Sequence, residues 1–146
     1  MIAVDFEQYL GERTELLADL FSSGCFFNLA ALRYFNPVGA HHSGLIGEDP
    51  KGVPQNLMPY LAQVAAGKLP KVEVFGRDYP TRDGTGVRDY IHVMDVADAH
   101  VATLNYLLRN GGYLPINIGT GNGVSVLELI HAFEKVSGRS IQWVFG

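Results

Sequence analysis

The chain has little cysteine, no excess of basic residues and no long hydrophobic run. Cys25 is the single cysteine among 146 residues, which excludes an internal disulfide and a zinc site built from several cysteines. We therefore expect a reducing, cytoplasmic location, with Cys25 as a small buried hydrophobe. The net charge of -4 leaves no basic stripe for a nucleic-acid partner. The apolar runs are far shorter than the ~20 residues that cross a membrane, and the first ten residues do not resemble a signal peptide.

Several catalytic and cofactor motifs are lacking as well. No tyrosine is followed four residues later by lysine, and the chain has neither a G-x-S-x-G elbow nor a P-loop. The stretch "NIGTGNGVSV" carries Gly119 and Gly121 of a dinucleotide fingerprint, but Val124 stands where the third glycine is required. We expect a tight strand-to-helix turn there and assign no catalytic residue. His41 and His42 have no carboxylate or cysteine at ligand spacing, so we predict no metal site.

Helical and strand patterns alternate along the chain, which predicts an α/β fold. The helical patterns begin with Glu12 to Leu20 and continue with "NLMPYLAQVAAG", "VADAHVATLNYLLRN" capped by Asp95, and "VLELIHAFEKVSG" opened by a Ser125–Glu128 capping box. The strand patterns are "FFNLAALRYF", which suits a strand covered on both faces, then "VEVFG", "DYIHV", "YLPINIG" and "IQWVF". Polar, Gly-containing loops are expected at 37–53 and 77–86.

Arg88 is the first candidate for a binding residue. It lies in "DGTGVRDYIHV", where glycines let the backbone approach a ligand and the guanidinium offers a fork of donors suited to a diphosphate. A surface ion pair with Asp83 or Asp89 explains the same pattern. The residues by themselves leave both interpretations open.

Two amides and one aromatic ring extend this candidate set. Asn36 and Asn56 stand at the start of a loop and of a helix, where amides and helix N-termini suit phosphate and sugar oxygens. Phe75 ends a strand, where it can cover a flat base or pack into the core. No nucleophile has an adjacent base.

Taken together, these segments resemble a known family. The stretches "LRYFNPVGAHHSGLIGEDPKGVPQNLMPYLAQVAAGK", "VFGRDYPTRDGTGVRDYIHVMDVADAH" and "INIGTGNGVSVLELIHAFEKVSG" are similar to the C-terminal half of the UDP-glucose 4-epimerase family, within the extended short-chain dehydrogenase/reductase superfamily. The resemblance runs from about Ala31 to Gly138. It implies an incomplete α/β fold: the end of a Rossmann-like NAD-binding domain in residues 1–40 and most of a small α/β substrate-binding lobe in residues 41–146, truncated at its C-terminus.

The resemblance also implies roles for individual residues. Arg88 matches the arginine that holds the diphosphate of a UDP-sugar, and Phe35 matches a residue beside the nicotinamide of NAD. The other implied substrate contacts are Asn36, Asn56, Leu57, Val74 and Phe75, the last two along the uracil. Asp89, Tyr90 and His92 match scaffold residues. The family's Gly-rich NAD loop and Tyr-x-x-x-Lys pair match nothing in this sequence.

The implied parent activity is the NAD-dependent interconversion of UDP-galactose and UDP-glucose by a homodimeric isomerase of galactose metabolism. Because the catalytic pair and the NAD loop would lie upstream, and another arginine and a ribose-binding acid downstream of Gly146, we expect substrate-binding residues without catalytic ones. We also expect no tight NAD binding by this chain. The alternatives are a non-catalytic remnant that binds UDP-sugars, or a fragment of another nucleotide-sugar epimerase or dehydratase. Gln55, Arg77 and Arg82 depart from the family's usual residues.

Overall fold

The computed structural model describes residues 6–24 and 26–146, with side chains from residue 13 onward. The helices in this part are α1 (Phe6–Ser22), α2 (Leu57–Ala65), α3 (Val93–Asn110) and α4 (Val126–Ser137). The strands are β1 (Leu29–Tyr34), β2 (Asn36–Val38), β3 (Val72–Val74), β4 (Val87–His92), β5 (Tyr113–Ile118), β6 (Gly123–Ser125) and β7 (Trp143–Phe145). The predicted α/β class is confirmed. Cys25 and residues 1–5 lie outside the described residues.

The strands form three small sheets. β1 pairs with β5 in parallel, β2 pairs with β4 in parallel while β6 runs antiparallel to β4, and β3 pairs with β7 in parallel. The chain crosses from the first sheet to the second at Phe35, and again between Gly119 and Asn122. Since β5 pairs with β1, the first sheet draws on both segments of the expected division at residue 40.

The main cluster of buried hydrophobic residues lies between α2, α4 and the third sheet. Helix α2 contributes Leu61 and Val64, β3 contributes Val72 and Val74, and Ile130 and Ile141 complete the cluster. By contrast, β1 is only half-buried, so the expectation of a strand covered on both faces is wrong for the described structure. Both α1 and α3 contact β1, but β5 is its single partner strand among the described residues.

The helix ends show which local rules the chain follows. In α4 the predicted capping box is confirmed, because the Ser125 hydroxyl accepts from the Glu128 amide at 3.1 Å and the Glu128 carboxylate accepts from the Ser125 amide at 2.9 Å. The predicted cap of α3 is wrong. Its N-cap is His92, whose Nδ1 accepts from the Met94 amide at 3.2 Å, and Asp95 lies within the first turn.

Other bounds also differ from the sequence expectation. Helix α1 begins at Phe6 instead of Glu12, and the three-residue strands β2 and β6 stand where we expected a loop and a turn. Each of these strands pairs with β4. No helix in the described part of the chain is long and apolar enough to span a membrane.

Candidate functional site

A cleft of about 540 Å³ opens between the start of α2, strand β3 and strand β4. It brings together five of the predicted binding residues: Asn56, Leu57, Val74, Phe75 and Arg88. Its lining is completed by Pro54, Gln55, Tyr60, Val72, Glu73, Tyr79, Gly86, Tyr90 and Val126. Asn36 and Phe35 are not part of this lining.

The direction of Arg88 follows from strand geometry. Successive side chains of a strand point to opposite faces, so Arg88 and Tyr90 share the cleft face of β4 while Asp89 points to the other face. Arg88 is exposed, and its Nη1 donates to the Val87 carbonyl at 3.0 Å. Its guanidinium therefore retains further donors toward the cleft.

Both aspartates that were candidate partners of Arg88 are held elsewhere. The Asp83 carboxylate accepts from the Thr85 amide at 2.9 Å, from the Thr85 hydroxyl at 2.7 Å, and from the Ser125 hydroxyl. The hydrogen bonds from Ser125 and then from Thr85 lower the pKa of the Asp83 carboxyl. The ion pairs Lys71–Glu73 and Arg82–Glu128 involve neither Arg88 nor these two aspartates. A surface pair of Arg88 with Asp83 or Asp89 is therefore not what the structure contains.

The start of α2 presents polar groups to the same cleft. Asn56 is the N-cap residue, with an extended backbone, and its side chain makes no capping hydrogen bond. The Asn56 carbonyl accepts from the Tyr60 amide at 3.3 Å, while the amides of the first turn have no partner within the helix. The positive end of the helix dipole and the Asn56 amide thus face the cleft that Arg88 also lines.

Aromatic rings flank the cleft near β3. Phe75 follows the strand and is 73% exposed, so core packing does not explain it. Tyr79 is also exposed, and a Cβ on Gly76 would lie 2.6 Å from the Tyr79 ring, which shows how closely the loop folds back. Val74, by contrast, is buried and its carbonyl accepts from the Gly146 amide at 3.0 Å.

Asp89 lies against the turn that follows β5. Its carboxylate accepts from the Thr120 amide at 3.0 Å, the Thr120 hydroxyl at 2.7 Å and the Gly121 amide at 2.8 Å. The hydrogen bonds from Thr120 lower the pKa of the Asp89 carboxyl. The predicted tight turn is present, and its amides already bind a carboxylate.

Phe35 and Asn36 lie beside Asp89, where the chain enters β2. The Asn36 Nδ2 donates to the Asp89 carbonyl at 3.1 Å. A Cβ on Gly119 would lie 2.4 Å from the Phe35 ring, which is itself 51% exposed. These two residues therefore mark a second locus, next to the cleft and joined to it through β4.

Several cleft residues are not among the binding residues predicted from the sequence, and Tyr90 is the most informative of them. The alternation of side chains along β4 could have indicated Tyr90 from the sequence, because it places Tyr90 on the same face as Arg88. Burial raises the pKa of the Tyr90 phenol, and the Arg88 charge opposes that shift. Tyr90 therefore stays neutral near pH 7 and offers a hydroxyl to a ligand.

The two arginines that depart from the family's usual residues have partners outside the cleft lining. Arg82 donates to the Glu128 carboxylate at 2.8 Å and to the Gly123 carbonyl at 3.0 Å. The Arg77 guanidinium carbon lies 5.9 Å from the centre of the Phe145 ring. Gln55, the third departure, does line the cleft.

Comparisons with known proteins identify the family of this chain. The model of the NAD dependent epimerase/dehydratase family matches residues 14–119. The UDP-glucose 4-epimerase of Bacillus subtilis is 58% identical over 131 residues, which are 90% of this chain and 39% of that protein. A bifunctional UDP-glucose 4-epimerase and UDP-xylose 4-epimerase of Arabidopsis thaliana is 58% identical over 129 residues, 87% of this chain and 37% of that protein.

Solved structures give the same result. The UDP-glucose-4-epimerase of Stenotrophomonas maltophila, with bound NAD and formylated UDP-arabinopyranose, has a TM-score of 0.88 and 61% identity over 90% of this chain and 39% of that one. The Bifidobacterium longum enzyme, in complex with NAD+ and UDP, has a TM-score of 0.85 and 52% identity over the same shares. The chain thus spans about 39% of the length of these relatives and carries an incomplete version of their fold. It belongs to the NAD dependent epimerase/dehydratase family, and over most of its length it is similar to UDP-glucose 4-epimerases.

Proposed function

We propose that this chain is the UDP-sugar-binding part of an NAD-dependent UDP-glucose 4-epimerase, which interconverts UDP-galactose and UDP-glucose. The observation that carries the proposal is the cleft in which Arg88 and the start of α2 lie together. The longer protein is proposed to be a cytoplasmic homodimer, as the family resemblance implies.

The chemistry of the cleft suits a nucleoside diphosphate. Arg88 supplies a fork of donors for phosphate oxygens, and the helix N-terminus with Asn56 adds amide donors and positive potential. Phe75 and Tyr79 offer aromatic faces to a flat base. A volume of about 540 Å³ lies within the usual range for small-molecule sites, so a UDP-sugar is compatible in size.

The described residues do not fit the pyrophosphate of NAD. A dinucleotide site needs a glycine-rich turn whose amides point at phosphate oxygens. Here the Thr120 and Gly121 amides donate to the Asp89 carboxylate, whose negative charge also opposes a phosphate. We propose that other parts of the longer protein hold NAD and that Phe35 contributes a contact to the nicotinamide.

The division of the chain into residues 1–40 and 41–146 stays a prediction. Pairing of β1 with β5 favours a first unit that also takes in Tyr113–Ile118. In this view Phe35 and Asn36 lie where the nucleotide domain meets the substrate lobe.

A chimera tests the function directly. Residues 14–146 would replace the corresponding segment of the Bacillus subtilis relative, and epimerase activity and UDP affinity would be measured. We expect an active enzyme in which Arg88→Ala weakens UDP binding by about ten- to a hundredfold, because a charge-assisted contact shielded from water contributes roughly 1.5–3 kcal/mol. Arg88→Lys should recover only part of this affinity, since an ammonium cannot make a two-pronged contact.

Arg109→Ala is the matched control, because Arg109 is an exposed arginine in the last turn of α3 and outside the cleft lining. It should leave UDP affinity unchanged. An unsubstituted chimera that binds UDP without epimerising would favour the binding remnant or another nucleotide-sugar reaction. Unchanged UDP affinity in Arg88→Ala would refute the diphosphate contact.

A further inference from the structure

Asp89 lies where two crossings of the chain meet. At the first crossing, Phe35 and Asn36 join the β1–β5 sheet to the sheet of β2, β4 and β6. At the second crossing, the turn from Gly119 to Asn122 joins β5 to β6. Both crossings contact β4 at Asp89.

The second crossing is bound by the Asp89 side chain. One carboxylate oxygen accepts from the Thr120 amide at 3.0 Å and from its hydroxyl at 2.7 Å. The other oxygen accepts from the Gly121 amide at 2.8 Å. Three donors from one turn fix both oxygens of the carboxylate and hence its orientation.

The first crossing is bound by the Asp89 backbone. The Asn36 Nδ2 donates to the Asp89 carbonyl at 3.1 Å, and β2 continues in register with β4 through the Asn36–Tyr90 pair. Gly119, the first residue of the second crossing, lies against the first: a Cβ there would be 2.4 Å from the Phe35 ring and 2.6 Å from the Asp89 carboxylate. The ring and the carboxylate thus pack against the same glycine, which leaves no room for a side chain.

We propose that Asp89 is a positioning residue that holds Phe35 and Asn36 at a fixed distance from Arg88. The inference rests on the proposed function, in which Phe35 lies beside the nicotinamide and Arg88 holds the diphosphate. Because Asp89 directly precedes Tyr90 and follows Arg88 on β4, any shift of Asp89 relative to the turn also shifts the arginine relative to the ring. Asp89 therefore governs how the sugar meets the cofactor, and turnover depends on it more than UDP affinity does.

The test uses the chimera with Asp89→Ala, Asp89→Asn and Thr120→Val. We expect Asp89→Ala to lower kcat by about ten- to a hundredfold, in line with the cost of a misplacement near 1 Å, while UDP affinity stays close to that of the unsubstituted chimera. Asp89→Asn keeps one carbonyl oxygen, and Thr120→Val keeps the backbone donor. The kcat of both variants should therefore lie between that of Asp89→Ala and that of the unsubstituted chimera. Asp98→Asn, an exposed acidic residue on α3, is the charge-matched control and should leave kcat unchanged.

A purely structural role predicts a different pattern, with a lower melting temperature and unchanged kcat per folded molecule. That result would overturn the proposal, and so would a loss of UDP affinity in parallel with kcat. If Asp89→Ala does not fold, Thr120→Val decides, because it conserves side-chain shape and removes only the Thr120 hydroxyl, which donates to Asp89 and accepts from the Asn122 amide at 3.2 Å. Failure of the proposed function appears separately, as an unsubstituted chimera that does not turn over, whether or not it binds UDP.

Discussion

Asp83 and Asp89 flank Arg88 in the sequence, yet neither pairs with it, and the reasons differ. Asp89 is excluded by the alternation of side chains along β4. Asp83 is held by Thr85 and Ser125, whose side chains are both fully buried at 0% exposure. In the sequence Ser125 is remote from Asp83, so this contact was not predictable from local pattern. The two aspartates build the scaffold that leaves Arg88 open to the cleft.

Asp83→Asn should lower the stability of the chimera by about 1–3 kcal/mol near pH 7, because buried hydroxyls lose a charged acceptor. The pKa of Asp83 is lowered in the folded state by Ser125 and Thr85. Its contribution is therefore present above the unfolded-state pKa of about 3.9 and is lost as the pH falls through the lower folded-state value.

Melting temperatures at neutral and acidic pH check this prediction. The difference between the unsubstituted protein and Asp83→Asn should shrink at acidic pH. Asp78→Asn, at an exposed position in the same loop, should show little difference at either pH. A difference that is equally large at pH 7 and pH 3 would contradict the role of the ionised carboxylate.

At the scale of elements, periodicity and caps predicted the longer helices and strands. The Ser125–Glu128 capping box and Gly138 predicted the bounds of α4 closely, because capping depends on residues near each other in the sequence. Strands β2 and β6 are three residues each, too short to show alternation, and they exist through pairing with β4. The cleft residues were only partly predictable for the same reason. Arg88 stood out by its chemistry, whereas Tyr90 joins it only once β4 has a defined face.

The cap of α3 was mispredicted because two residues compete for it. Aspartate is a favoured N-cap and histidine is not, yet the helix begins at Val93 and the His92 Nδ1 accepts from the Met94 amide. Gly39 contributes to this choice: a Cβ there would lie 2.6 Å from the His92 Nε2, so the imidazole is packed in place.

His92→Ala should therefore destabilise the chimera more than Asp95→Ala does. Loss of a cap costs about 0.5–2 kcal/mol, whereas an acidic residue in the first turn contributes about 0.3–1 kcal/mol. His92→Asn should recover most of the loss, because its side-chain oxygen is a good capping acceptor. Thermal melting of the three variants checks this prediction, and a larger effect of Asp95→Ala would contradict the capping role of His92.

At the scale of the molecule, exposed apolar surface determines whether the chain associates with itself when it is produced alone. Val101, Leu104 and Leu108 on α3 are 60%, 59% and 76% exposed. Strand β1 has β5 as its single described partner, so one edge offers unpaired backbone groups. The chain also spans only about 39% of its relatives' length. Surfaces of this kind normally lie against other protein.

The 146-residue chain should therefore self-associate when it is produced alone. Sedimentation velocity should show species larger than a monomer, and the double substitution Leu104→Glu with Leu108→Glu should reduce their proportion by adding charge to the α3 surface. A monodisperse chain with a single cooperative melting transition would show instead that these surfaces need no cover.

The last expectation concerns NAD, which the chain by itself should not bind tightly. The Gly119–Gly121 turn is the one part of the described sequence that resembles a dinucleotide loop, and its Thr120 and Gly121 amides are already engaged by Asp89. Phe35 can add a ring contact but no charge or donor to a pyrophosphate. Calorimetric titration of the isolated chain with NAD should thus give no micromolar binding, while UDP titrated into the same sample gives heat and shows that the cleft is intact. The chimera, which gains a complete nucleotide domain, should bind NAD as its Bacillus subtilis parent does. Micromolar NAD affinity in the isolated chain would mean that the Asp89 carboxylate can be displaced from the turn by a phosphate.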